Sequence, residues 1–413
     1  MSLTKELNER GFIHQFSASN LEDIIDGEKR TIYHGIDPTA DSAHVGNMVV
    51  WMLLKHLADA GHKIIFLVGG GTGMIGDPKP DTERQLQDTS LVLENVESIK
   101  KQAENFFTGN QIEFVNNFDW LGSLKLIDFL RDVGKHYTVN ELIKKDAIAT
   151  RLQSDNGLSY TEFAYPLLQG YDYLQLFESK NCTVQVGGSD QWGNIISGVE
   201  LVRRKTQNEV FAITVPLVVD KGTGKKFGKS EGNAVWLSSE KTSPYKFYQF
   251  WLNTSDESVV DYLKLFTTLS LDEIENIRQK FELNPGSRLA QKQLAFSVTS
   301  LVHDLTSAEA AQNVSEILFG GKDFNSLSEA EKNMLLETAP SSTLNEPRAL
   351  VEVLVETGLS ASKREAKMFV ESGAVEINGR KIESVETEMS GADAVSGLIL
   401  LKRGKKQLHI IKV

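Results

Sequence analysis

Five short apolar runs alternate with amphipathic helical stretches over the first 220 residues, and this alternation leaves few folds open. TIYHGI at 31–36 reads as a strand; a helical run from Asn47 to Ala60 follows after a loop and stops at Gly61, a residue suited to the position just past a helix end. IIFLV at 64–68 reads as a second, buried strand. A polar helical pattern at 91–107, strand-like QIEFV at 111–115, and helices from Leu124 to Val133 and from Thr161 to Ser179 continue the series. TVQVG at 183–187 and VFAITVPLVV at 210–219 complete it, separated by a helix near Gln191 to Arg203. Strand and helix in turn predict an α/β, Rossmann-like nucleotide-binding domain with a mostly parallel sheet and an inserted helical segment, over residues 1–232.

Beyond it, apolar residues recur at helical spacing without a clear strand, which predicts an all-helical domain over 233–320. Residues 321–346 are rich in Gly, Ser, Thr and Asn and read as a linker. The last stretch, 347–413, reads as a small α+β domain and carries 11 Lys and Arg against 9 Asp and Glu. The whole chain has a net charge of −12, so this segment is basic only relative to an acidic body. Such a balance argues against a general nucleic-acid coat and permits one local basic patch.

The longest apolar run, around Phe211 to Val219, is too short to cross a bilayer, and MSLTKELNERGF has no apolar signal region. Cys182 is the single cysteine, so neither a disulfide framework nor a Cys-rich zinc site is available. A soluble cytoplasmic protein without a membrane segment is expected. No His/Cys/carboxylate cluster at metal spacing appears, so no permanent metal site is expected.

Two nucleotide-binding patterns mislead. Gly71–Gly76 is a formal GxGxxG, but Pro78 and Pro80 interrupt the helix that would hold a pyrophosphate. Gly228-Lys229-Ser230 resembles the end of a P-loop, yet Thr223 stands where the first glycine is required. Asp37-Pro38-Thr39 and His44-Val45-Gly46-Asn47 lie between the first strand and its helix, where open α/β sheets bind ligands. Gly46 permits close approach of backbone to a nucleotide, and His44 and Asn47 can donate hydrogen bonds. Alone, this segment is equally an ordinary loop. Lys226-Phe227-Gly228-Lys229-Ser230 adds two cations on a glycine-containing loop able to close over a polyphosphate.

HVGN and KFGKS resemble the HIGH and KMSKS signatures of class I aminoacyl-tRNA synthetases. With YHGIDPTADSAHVGN, LVGGGTGMIGDP, FLRDVGKHY, GGSDQWGNI and KTSPYKFYQFW, almost the entire chain resembles the bacterial tyrosyl-tRNA synthetases. The resemblance implies that Tyr165, Gln169 and Asp77 hold a substrate ammonium, while Tyr33 and Asp172 bind a phenolic hydroxyl. Tyr165, Gln169 and Asp172 stand at i, i+4 and i+7 of one predicted helix and therefore share a face. Asp190 and Gln191 match ribose- and substrate-binding positions, and Gly188 would let the adenosine approach the backbone. Asp37, Gly46 and the loop Lys226 to Ser230 complete the expected ATP site. His44, Asn47, Thr39, Lys226, Lys229 and Arg84 are the expected catalytic set, acting on phosphate charge.

Two departures stand out: Asn47 replaces a second histidine, and the loop KPDTER is one residue shorter than in many relatives, leaving Lys79 as a substitute for missing basic residues. Residues 360–382 resemble an S4-type RNA-binding fold, with Ser362, Lys363, Arg364 and Lys367 along a helix and Asn378-Gly379 forming a hairpin turn. The resemblance places this surface, with Lys402, Arg403 and Lys405, against transfer RNA. It also implies Mg-ATP as a substrate, no permanently bound cofactor, tyrosine and tRNA as partners, and a homodimer joined near FLRDVGKHY and Tyr160. Three alternatives stay open at this level: a tryptophanyl enzyme, a nucleotidyltransferase sharing the ATP motif, and a catalytically idle RNA-binding homologue.

Overall fold

The computed structural model describes the chain except residues 80–81, 154–156, 220, 222–226, 231–232, 321, 323, 326 and 405–406, and for 229, 230 and 233 the backbone alone. The chain divides into two compact units. The first comprises residues 1–242 and 254–290, the second 243–253 and 291–413. The helical stretch at 233–320 thus contributes to both. Among the described residues no helix is long and apolar enough to cross a membrane.

The first unit is built on a sheet of six strands, β1 (Gln15–Phe16), β2 (Thr31–Ile36), β3 (Lys63–Val68), β4 (Ile112–Asn116), β5 (Cys182–Gly188) and β6 (Phe211–Val215), with a separate pairing of β7 (Lys229–Ser230) and β8 (Asn233–Ala234). The order in the sheet is β1-β6-β5-β2-β3-β4, all parallel except β1, which is antiparallel at the edge. The chain runs from β2 outward through β3 to β4, then returns to place β5 on the other side of β2. Strand order therefore reverses between β2 and β5, and the loops after their carboxyl ends splay apart into a crevice. The last strand is shorter than the apolar run 210–219 suggests, because Pro216 follows Val215 and cannot donate to a ladder.

Local signals fix the helices that frame the crevice. Ser159 caps the helix Tyr160–Lys180 by accepting from Glu162 N, and Asn181 ends it in the left-handed region at φ 52°. Asp88 caps Thr89–Phe106 in the same way. Trp51, from the helix Met48–Asp59, is fully buried and meets Phe66 and Phe106 edge-on at ring-centroid distances of 5.3 Å. On the other face of the sheet, Tyr33 packs against Tyr173 at 5.2 Å within a cluster that includes Leu174, Cys182 and Leu201.

In the second unit the stretch expected to be a linker contains a helix. Ser328 and Glu331 form a reciprocal capping box that starts a helix at Glu329–Thr338; Met334 and Leu335 are buried along it, and Leu327 is buried just before it. A five-stranded sheet follows in the order β12-β11-β14-β15-β9, from β9 (Ser341–Thr343), β11 (Val375–Ile377), β12 (Arg380–Ile382), β14 (Leu398–Arg403) and β15 (Gln407–Lys412). A two-stranded pairing of β10 (Arg348–Ala349) with β13 (Glu388–Met389) accompanies it. Asn378 and Gly379 both have positive φ, at 50° and 81°, as the two-residue turn between β11 and β12 demands. Helices Leu350–Glu356 and Lys363–Glu371 cover this sheet over a core of Leu354, Val370, Ile399 and Leu401.

Candidate active site

The crevice between β2 and β5 is a cavity of about 410 Å³, in the size range of small-ligand sites. Tyr33, Asp37, Thr39, His44, Gly46, Asn47, Asp77, Arg84, Tyr165, Gln169, Asp172, Gly188, Asp190, Gln191 and Phe227 all line it. These residues span almost 200 positions of sequence, and the strand reversal brings them to one place. Lys226 lies outside the described residues, and Lys229 and Ser230 fall in a short strand, Lys229–Ser230, paired with Asn233–Ala234.

One hydrogen-bonded chain organises the wall of the cavity. Asp172 accepts from Trp120 Nε1 at 2.7 Å and from Asn117 Nδ2 at 2.9 Å. Asn117 Nδ2 also donates to Thr72 Oγ1 at 2.8 Å, and Thr72 Oγ1 donates to Asp37 at 2.7 Å. The second oxygen of Asp37 accepts from the Tyr165 hydroxyl at 2.7 Å. Asp77 stands apart from this chain and is held by Gln191 Nε2 at 2.9 Å and Asn194 Nδ2 at 2.8 Å. Arg84 Nε donates to the carbonyl oxygen of Asp77 at 2.8 Å, which places its guanidinium at the cavity rim.

Three of the carboxyl groups that line this space are less acidic than in water. Burial pushes Asp172 up to about 7 against the opposing hydrogen bonds from Asn117 and Trp120. It pushes Asp37 up to about 6, partly offset by Thr72 and Tyr165, and raises Asp77 against Gln191 and Asn194. Burial, followed by the Asp172 charge, drives the Tyr33 hydroxyl upward. Among the described residues that hydroxyl has no hydrogen-bond partner, nor have Gln169 Oε1, Gln185 Oε1 and His34 Nε2. All four residues line the same cavity. Buried polar atoms without partners are costly, so this set fits a polar ligand that supplies the missing bonds.

The two signature loops are stitched together by backbone. Val45 N donates to Val235 O at 2.9 Å, Leu237 N to Ala43 O at 2.9 Å, and Val235 N to Gly228 O at 3.0 Å. Gly228 has φ 94°, which strains any other residue, and a Cβ there would be crowded at 3.1 Å from Val45 Cγ2 and 3.3 Å from Gly46 N. Phe227 is anchored against Tyr262 and Phe266 at ring-centroid distances of 4.8 and 5.2 Å. Asn47 Oδ1 accepts from His44 N at 3.0 Å, and His44 Nδ1 accepts from Gly46 N at 3.1 Å. The second contact fixes the neutral tautomer with its proton on Nε2, the form that donates to an anion.

Sequence reasoning missed several participants. Thr72 sits within a recognised glycine-rich segment and Asn194 three residues after Gln191, so both were within reach. His34 gives a weaker signal, a histidine in a central strand, with Nδ1 against Val186 O at 3.1 Å. Asn117 and Trp120 follow β4 at its carboxyl end, the ligand-facing side of an α/β sheet.

In the second unit, Ser362 caps its helix and Lys363 pairs with Glu352 at 2.6 Å. Arg364 and Lys367 are exposed. Lys402 Nζ donates to Ile317 O at 2.8 Å and Arg403 stacks over the Phe369 ring at 4.5 Å, while Lys405 lies outside the described residues.

A family model for class I tRNA synthetases (W and Y) matches residues 26–320, and one for the SYY-like C-terminal domain of tyrosine–tRNA ligase matches 331–411. The tyrosine–tRNA ligase of Streptococcus mutans is 46% identical over 420 residues, covering 100% of both chains. Tyrosine–tRNA ligase 2 of Enterococcus faecalis is 45% identical over 417 residues, covering 99% of this chain and 98% of its own. A C-terminally truncated mitochondrial tyrosyl-tRNA synthetase of Aspergillus nidulans superposes with a TM-score of 0.69 at 30% identity, over 77% of this chain and 94% of that one. With full-length identity of this order and both family models matched, the chain belongs to the tyrosyl-tRNA synthetases, among the class I aminoacyl-tRNA synthetases.

Proposed function

We infer that this tyrosine–tRNA ligase works in two steps, neither with a covalent enzyme intermediate. The tyrosine carboxylate attacks the α-phosphate of Mg-ATP in line, giving tyrosyl adenylate and pyrophosphate. A ribose hydroxyl at the 3′ end of tRNA then attacks the tyrosyl carbonyl of the adenylate, forming the ester as the anhydride bond breaks and AMP leaves. The observation that carries the amino-acid assignment is the pairing of the unpartnered Tyr33 hydroxyl with the buried Asp172 carboxyl in one cavity. A phenol can donate to Asp172 and accept from Tyr33; an indole N–H can only donate, which disfavours tryptophan. Tyr165, Gln169 and Asp77 take the ammonium, Asp190 and Gln191 the ribose and substrate, and Gly188 the adenosine. His44, Thr39, Arg84 and the loop cations Lys226 and Lys229 stabilise phosphate charge as it develops. The Tyr33→Phe variant should narrow the tyrosine-to-phenylalanine ratio in charging assays, because it removes a buried partner that phenylalanine leaves unpaired, an effect of about 1–3 kcal/mol. An unchanged ratio would remove Tyr33 from the pocket.

Tyrosine binding should depend on pH in a direction set by Asp172. Its carboxyl, pushed up to about 7, is largely protonated at pH 6, whereas a donating phenol bonds more strongly to the carboxylate. Affinity should therefore strengthen as pH rises, by about tenfold between pH 6 and 8, with proton release on binding. Calorimetry in buffers of different ionisation enthalpy measures both quantities. A flat profile, or one left unchanged by Asp172→Asn, would contradict the assignment.

Exposed Leu126, Ile127, Leu130, Val139 and Tyr160 supply an apolar surface beside the FLRDVGKHY segment and support a homodimer joined there. The absence of a membrane-length helix among the described residues and the single cysteine support a cytoplasmic enzyme.

A further inference from the structure

Arg151 lies in the last turn of the short helix Asp146–Leu152 and is fully buried, with 0% of its side chain exposed. A buried guanidinium is expensive unless every face of its fork is engaged. Here Nη1 donates to Lys79 O at 2.8 Å and to Thr82 O at 2.6 Å. Nη2 donates to Gly157 O at 3.0 Å and to Glu162 Oε2 at 3.3 Å. Glu162 is itself 2% exposed, and its other oxygen accepts from the backbone N–H of Arg84 at 3.1 Å. The Arg84 side chain then donates to the carbonyl of Asp77 at 2.8 Å. One cation therefore holds two carbonyls of the segment that leads into Arg84, and it holds the Arg84 backbone through Glu162.

We propose that Arg151 and Glu162 form a positioning pair for tyrosine activation, setting the main chain around Arg84 so that its guanidinium meets the pyrophosphate half of ATP. This rests on the reading that Arg84 contacts phosphate. A flexible rim arginine would have to lose its freedom at each turnover; one whose backbone is already fixed carries less of that cost into the transition state. The pair does not hold the amino-acid pocket, because the Asp77 carboxylate is secured separately by Gln191 and Asn194. Its loss should thus separate phosphate-dependent constants from tyrosine binding.

The informative change is Arg151→Lys, which keeps the buried charge and loses the planar fork that spans four acceptors. In pyrophosphorolysis of tyrosyl adenylate, Arg84→Ala should raise the KM for pyrophosphate at least about tenfold, and Arg151→Lys should raise it several-fold, with the tyrosine Kd within about twofold of the parent. Adding Arg151→Lys to Arg84→Ala should have little further effect, since one acts through the other. Should Arg151→Lys fail to give soluble enzyme, Glu162→Gln carries the same test, because its amide oxygen can still accept from Arg84 N while the ion pair is lost. A fall in melting temperature with unchanged pyrophosphate KM, or full additivity with Arg84→Ala, would overturn the positioning role alone. No change in Arg84→Ala would remove the phosphate role of Arg84 and the proposal with it.

Discussion

Replacing His44 by alanine should slow formation of tyrosyl adenylate by roughly 10²–10³, about 2.7–4 kcal/mol, the usual consequence of losing one donor aimed at transition-state charge. The tyrosine Kd should stay within about twofold, because the groups assigned to the amino acid sit elsewhere in the cavity. The geometry gives the reason for the size of the effect. His44 is held on both sides, by Asn47 Oδ1 on its backbone N–H and by Gly46 N on Nδ1, so its Nε2–H is fixed before ATP arrives. Asn47 therefore has a local role that a sequence comparison does not reveal: its amide oxygen anchors the loop. Single-turnover kinetics with equilibrium binding measures both terms. A tyrosine affinity that fell in proportion to the rate would show that His44 supports the pocket and not the transition state.

A chain ending at Ala339 should retain tyrosine-dependent pyrophosphate exchange at near the parent rate and lose tRNA charging by at least about a hundredfold, given how strongly tRNA affinity rests on phosphate contacts. The cut follows the helix Glu329–Thr338, which buries Met334 and Leu335, and precedes β9. Cutting earlier, near Phe319, would discard that helix and bare its apolar neighbours. The cut removes the S4-like surface, including the exposed Arg364 and Lys367 and the stacked Arg403. The protein from Aspergillus nidulans described above is itself a C-terminally truncated form. Both activities should be measured on a monodisperse sample. Equal loss of both would mean that the tail supports the catalytic fold, and normal charging would mean that the S4-like segment is not the tRNA anchor.

Much of this was legible in the residues. The helix Tyr160–Lys180 announces itself by Ser159, and its period alone puts Tyr165, Gln169 and Asp172 on one side. The turn at Asn378-Gly379 follows from the two residues that tolerate positive φ there. The helix Glu329–Thr338 could have been found from its capping box, had the Gly, Ser and Asn around it not suggested a linker. Other features have no local signal. Asp172 is held by Asn117 and Trp120, 55 and 52 residues away, and no periodicity or propensity encodes a hydrogen bond across that distance. Arg151 shows the same limit, since its acceptors include two carbonyls about 70 residues earlier, and a buried arginine looks in sequence like any other. What the sequence conveys well is which residue types meet; the order of strands decides where.

The most direct measurement is ATP–pyrophosphate exchange by the purified full-length protein with each of tyrosine, phenylalanine and tryptophan, without tRNA. Exchange dependent on tyrosine, and at least about a hundredfold weaker with the other two, is the predicted result, since a pocket built around buried hydroxyl partners rejects a ligand that leaves them unpaired. Exchange driven by tryptophan, or none with any of the three, would contradict it.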